Sequence, residues 1–261
     1  MHILVLLKMV PDVVEDLEIA SDGRGLDLDY LRMILSESDD HALEQALLLK
    51  ERHGGKVTVL ALDAPEVDDA LFTAAAKGAD RILKVVGMDA GFTTRQASRF
   101  FAQVIADEPG LLPVDLILTG VQAIDDLDGL VAPLVADELR MPYLGIITGI
   151  TVDGSGKTAR AIKEFPSGVR GEFEVKLPAV LGVQAAEKPP RYVPVAKVRA
   201  AMKSGKIESA EVPTLADGGW LAVNVVEMKR NEPASHAEML GGATDQVCNT
   251  LCGILAGRGL V

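Results

Sequence analysis

The chain has 261 residues, 48% hydrophobic and 25% charged, with only six Phe, three Tyr and one Trp. That composition excludes a disordered chain, a collagen and a disulfide-stapled miniprotein, and it leaves the core to Ala, Val, Leu and Ile, a diet that favours helices on a parallel sheet. With 26 basic against 38 acidic residues the formal charge is −12, which repels phosphate backbones, so nucleic acid is not an expected partner.

Residues 2–7 are continuously apolar and read as a strand buried on both faces. The run is short, has no basic segment before it and no small-residue cleavage site after it, so it does not read as a secretory signal. Residues 9–35 are irregular, broken by Pro11, Gly23 and Gly25. A loop of that length in a compact domain is usually functional. Ser36, Glu37, Ser38 and Asp39 offer N-cap candidates and first-turn acids for a helix carrying Ala42, Leu43, Ala46, Leu47 and Leu49, which Gly54-Gly55 ends.

Strands at 57–62, 81–86 and 114–119 then alternate with helices at 66–77, 93–107 and about 128–139. That alternation predicts parallel βαβ units with right-handed crossovers, hence a doubly wound α/β sheet. After Pro142 the pattern changes. Segments 145–152, 158–165 and 169–176 read as an antiparallel excursion, joined by glycine-rich turns such as Asp153-Gly154-Ser155-Gly156. Residues 177–183 return to a buried strand, and a helix follows over about 194–202. Beyond Gly205 there remain Pro213, Gly218-Gly219, a strand-like run at 220–228, Pro233 and a last helix over about 244–255. A tail of that size is marginal as an independent domain. We therefore expect a nucleotide-binding α/β domain over 1–203 and, over 204–261, an arm that covers another surface.

In open parallel sheets ligands bind beyond the carboxyl ends of the strands, at the switch in strand order. The segment GVQAIDDLDGLV, from Gly120 to Val131, follows a clean strand, opens on glycine and precedes a helix. Both a capped βα turn and an anion-holding turn fit it. It is neither a G-x-G-x-x-G fingerprint nor a P-loop. Asp125, Asp126 and Asp128 suit helix capping or a ribose hydroxyl. A phosphate there needs backbone amides, with the carboxylates turned away.

No catalytic constellation stands out. His2, His41, His53 and His236 are scattered and read as solvated or capping residues. Cys248 and Cys252 are four apart on one helix, and packed thiols account for them better than a metal site, which needs further ligands. Two cysteines and no run near 20 apolar residues suit a cytoplasmic protein without a membrane span.

The sequence resembles the β subunit of electron-transfer flavoproteins over nearly its full length. The resemblance rests on Lys8-Met9-Val10-Pro11-Asp12 after the first strand, Ala42-Leu43-Glu44-Gln45-Ala46-Leu47 in the first helix and Ala76-Lys77-Gly78-Ala79-Asp80-Arg81 closing the second. Gly120-Val121-Gln122-Ala123-Ile124-Asp125 matches the family's G-x-Q-A/S-x-D loop, and Leu177-Pro178-Ala179-Val180 with Pro190-Arg191-Tyr192 matches its signature region.

The resemblance implies a heterodimer with an α subunit whose C-terminal domain carries a redox-active FAD. That FAD would take electrons from a dehydrogenase, such as an acyl-CoA dehydrogenase, and pass them to a quinone reductase or another acceptor. The β chain would be a carrier subunit, not an enzyme, with residues 10–14 nearest the flavin edge. It would also hold an AMP or, in bifurcating members, a second FAD. Mapped onto this chain, that cofactor site comprises Leu6, Lys8, Ser36, Glu37, Ser38, Asp39, Leu62, Gly120, Val121, Gln122, Ala123, Ile124, Asp125, Asp128, Gly129, Leu130 and Val131. Arg191, Tyr192, Val195 and Lys197 map onto the partner-docking segment, with Val195 either an apolar anchor or packed beneath its own helix. This chain departs from relatives at Asp128-Gly129-Leu130-Val131, where many place side chains that grip a phosphate. The alternative class is a stand-alone adenine-nucleotide-binding module or an ATP-using enzyme of the same fold, which lacks a reason for the long arm.

Overall fold

The computed structural model describes residues 1–29, 31–88, 92–212, 225–231 and 237–260. β1 (His2–Leu7) is buried along its whole length, as an apolar run without alternation requires of a strand covered on both faces. β2 (Met9–Pro11) pairs antiparallel with β3 (Met33–Leu35), so a small ribbon closes the long irregular stretch. α1 (Glu37–His53) ends at Gly54, and Gly55 runs so close to the Met1 main chain that no side chain fits there. β4 (Lys56–Leu62), α2 (Val67–Lys77), β5 (Arg81–Val86), α3 (Thr94–Asp107), β6 (Leu116–Gly120) and α4 (Val131–Leu139) continue the alternation. α3 begins on a reciprocal cap: Gln96 N–H donates to the Thr93 hydroxyl at 3.3 Å and Thr93 N–H donates to the Gln96 side chain at 2.9 Å.

The chain then forms β7 (Tyr143–Ile147), β8 (Gly149–Val152), β9 (Thr158–Phe165), β10 (Val169–Lys176), β11 (Ala179–Val183), α5 (Val195–Ser204), β12 (Glu208–Glu211) and α6 (Thr244–Gly257). Seven strands make one parallel sheet in the order β12-β5-β4-β1-β6-β11-β7. Alternate residues of β1 serve opposite faces. Ile3, Val5 and Leu7 pack with Leu43, Leu47 and Leu71, while Leu4 and Leu6 pack with Phe100, Phe101, Ile105 and Val135. The doubly wound α/β sheet expected from the alternation is therefore the fold, with β8, β9 and β10 as the antiparallel excursion.

Several expectations need correction. Segment 145–152 is not one antiparallel strand: its first part belongs to β7, parallel to β11, and the chain turns at Ile146, whose φ is 60°, before β8 begins. Residues 208–211, left without structure by the sequence, add β12 to the sheet edge. Ala210 is its one buried residue, so there was no alternation to see. His2 is neither solvated nor a cap. Its ring is buried between the Thr58 hydroxyl and the Pro113 carbonyl, each 3.1 Å away, and burial lowers its pKa.

Of the strand-like run at 220–228, residues 225–228 form no strand and the rest lie outside the described residues, as do Pro213, Gly218, Gly219, Pro233 and His236. The two thiols are exposed on α6 and not packed.

Candidate functional site

β1 and β6 are neighbours, but the chain leaves β1 toward β4 and β5 and leaves β6 toward the other half of the sheet. The switch in strand order therefore lies between their carboxyl ends, where a crevice is expected. The first turn of α1 closes it from below. One Asp39 carboxylate oxygen accepts from Gly120 N–H at 2.6 Å, and the other accepts from Lys8 N–H at 2.8 Å. Those amides have no ladder partner where the strands diverge, so a single side chain ties both strand ends together. Burial pushes the Asp39 carboxyl up to about 7 against the pull of these two hydrogen bonds. Gly120 has no room for a side chain: a Cβ would stand 2.5 Å from Asp39 Oδ1 and 2.8 Å from Asp39 N. Ser38 completes the seam by donating to the Gln122 carbonyl at 2.8 Å.

Above the seam, Lys8 Nζ sits between Asp125 at 2.8 Å and Asp126 at 2.6 Å. Burial works against its charge, but hydrogen bonds and attraction from both carboxylates outweigh it, and the Lys8 pKa is raised. Asp128 accepts from Leu130 N–H at 3.0 Å, a local turn at the start of α4. α4 has no side-chain cap, and its third residue is Pro133, which has no N–H to give.

The residues expected to bind a nucleotide divide accordingly. Lys8, Ser36, Ser38, Asp39, Gly120, Gln122 and Asp125 are brought together by the seam and its lysine, with Asp126 a member that the family mapping omitted. Leu6, Leu62 and Ala123 are buried, the two leucines in one core cluster. Val121 and Val131 are half-buried, while Glu37, Ile124 and Leu130 are exposed and Gly129 takes a left-handed φ of 61°.

This donor set does not fit a phosphate group. Lys8 already serves two carboxylates, Asp128 takes one of the amides at the α4 entrance, and what remains is neutral. Two unit charges of like sign about 5 Å apart repel by roughly 3 kcal/mol at an effective dielectric of about 20. An open groove of about 400 Å³ lies elsewhere, between β7 and β10, lined by Pro142, Tyr143, Leu144 and Phe173 among others.

A second polar assembly fixes residues 185–191 to α1. Arg191 makes a forked pair with Glu44, at 2.8 Å from NH2 and 2.9 Å from Nε, and reaches Glu51 at 2.7 Å. Burial pushes Glu44 up, but the Arg191 guanidinium outweighs it and holds the carboxyl below its ordinary range. Glu187 is held by Arg52 and Gln45, and His41 Nδ1 accepts from Ala186 N–H at 3.2 Å. Of the expected docking residues, Arg191 is thus an internal clamp, while Tyr192 and Val195 are 84% and 60% exposed and Lys197 is exposed. Val195 does not pack beneath its own helix. Sequence reasoning missed Glu44 and His41 as anchors, although Glu44 and Gln45 stand out as polar residues inside an apolar run.

Among the described residues there is no cluster of three or more His, Cys, Asp or Glu able to hold a metal ion, and no helix long and apolar enough to cross a membrane.

The sheet order defines a doubly wound α/β protein with a polar seam at the strand-order switch. A family model described as "Electron transfer flavoprotein domain" matches residues 26–215. The chain is 31% identical to the electron transfer flavoprotein subunit beta of Methylophilus methylotrophus, over 86% of this chain and 83% of that one. It is 32% identical to the protein of that name from Clostridium acetobutylicum, over 76% and 74% of the two chains. With the one from Bacillus subtilis it shares 31% identity, over 82% and 80%. The chain belongs to the electron transfer flavoprotein family, in the role of its β subunit. The stand-alone module is not favoured.

Proposed function

We propose that this chain is one half of a heterodimeric electron carrier that encloses FAD with an α subunit in the cytoplasm. The carrier takes electrons from a dehydrogenase, of which an acyl-CoA dehydrogenase is the expected kind, and yields them to a quinone reductase or a comparable acceptor. FAD supplies the electron chemistry when bound. The chain's own residues supply a rigid wall and a docking surface, and they move no proton in a bond-making step.

A flat isoalloxazine edge needs apolar cover, and the turn after β2 offers it, since Val13 and Val14 are exposed beyond the ribbon. Tyr192 and Val195, presented by the Arg191 clamp, suit a transient contact with a dehydrogenase.

The observation that carries the reading is α6. None of its residues is buried on this chain, and Leu251 and Ile254 are 47% and 41% exposed. A helix with an apolar stripe that this chain leaves without a single buried residue is built to be covered by another chain. Expressed alone, the chain is expected to be colourless and prone to associate. Co-expressed with its α partner it should purify as a yellow 1:1 complex with flavin absorbance. A colourless, well-behaved monomer that ignores the α partner contradicts the reading.

A further inference from the structure

The charges at the strand-order switch conflict with the phosphate-bearing ligand that the family leads one to expect there. Both lysines at this rim of the sheet are committed twice over. Lys8 lies between Asp125 and Asp126, and Lys84 lies 2.9 Å from Asp68 and 3.7 Å from Asp63. The start of α4, ordinarily the place for an anion, has been spent differently. The Leu130 N–H donates to Asp128, Pro133 has no N–H, and no side chain caps the helix. The donors that remain at the start of α4, such as the main-chain N–H groups of Val131 and Ala132, are neutral. Such donors, beside carboxylates able to accept, match hydroxyl groups, which both give and receive hydrogen bonds.

We infer that the switch-point crevice of this chain excludes a 5′-phosphate and takes a neutral, hydroxyl-bearing group, with adenosine in place of AMP as the class of ligand. Asp128 is the residue that decides this, because Lys8 offsets only one of the two charges of Asp125 and Asp126, and Asp128, with no ion pair among the described residues, adds a further negative charge at the entrance of α4. The inference uses the proposed flavoprotein reading only to say that an adenine-bearing ligand is presented there.

Two measurements on the full-length chain in complex with its α partner test it. Acid denaturation followed by chromatography counts the released nucleotides. FAD without AMP is expected, while equimolar AMP, or two FAD per heterodimer, overturns the inference. Absence of any FAD would count against the flavoprotein reading instead, and the second measurement then decides this one. That measurement is calorimetric titration with adenosine and with AMP at low salt. Adenosine is expected to bind about tenfold tighter, with the gap closing as salt screens the repulsion. Asp128→Asn keeps an oxygen for the Leu130 amide and should raise AMP affinity about threefold while leaving adenosine unchanged. Equal or tighter binding of AMP, no response of AMP to Asp128→Asn, or no binding of adenosine at millimolar concentration overturns it.

Discussion

At Asp39 two demands meet in one carboxylate: it must accept from two main-chain amides, and it must do so out of water. The second demand raises its pKa from 3.8 to about 7. Between those values the folded chain keeps a proton that the unfolded chain has released, so this residue makes stability fall as pH rises from about 4 to about 7. Asp39→Asn should flatten that slope in melting curves taken across the window. It should also cost about 1–3 kcal/mol, because its amide nitrogen turns a donor toward an N–H of Lys8 or Gly120. Gly120→Ala probes the other side of the seam. The added methyl meets Ser38 and Asp39 at the start of α1, and calorimetry should find a loss of about 1–3 kcal/mol or more. The sequence marks the loop after β6 as the place for a ligand, but not this tie: Asp39 and Gly120 are 81 positions apart, and nothing local to either announces the other.

α1 does three jobs, and only one of them is periodic. Its apolar face, Leu43, Ala46, Leu47 and Leu49, is legible because helical spacing reports burial. Its first turn locks the strand ends, and its polar residues Glu44, Gln45 and His41 hold residues 185–191, partnerships that depend on distant chain segments. Glu44 is held below its ordinary pKa, so the pair contributes stability above the carboxylate range and loses it as pH falls through the lowered value. Glu44→Gln should therefore loosen residues 185–193. Hydrogen exchange should rise there by an amount equivalent to about 2 kcal/mol while β1 and β4 stay protected.

The same distinction explains the strands. β1, β4, β5 and β6 are runs of apolar residues and were readable as such. The boundary between β7 and β8 falls inside a similar run because Ile146 bends there, and β12 is too short and polar to carry a pattern. α5 was legible as a helix, but its sequence does not reveal that it buries none of its residues.

For the whole molecule, the exposed stripe on α6 sets the expectation that assembly, rather than folding of the sheet, depends on it. Leu251→Asp or Ile254→Asp should leave the melting temperature of the isolated chain within error and abolish co-purification with the α subunit. If either variant unfolds the chain on its own, α6 has a home on this subunit and the arm reading fails.

The two rims of the sheet restrict how that assembly happens. β12, at one rim, is four residues long and carries Glu208 and Glu211, with Glu208 tied to Arg81 at 2.7 Å. β7, at the other, is kinked at Ile146 and shifts register opposite Gly182 and Val183. Short, charged or bent margins offer no template for another strand. Growth by sheet extension is thereby blocked at both ends, which guards against runaway polymerisation and leaves docking through side chains as the route to a closed pair.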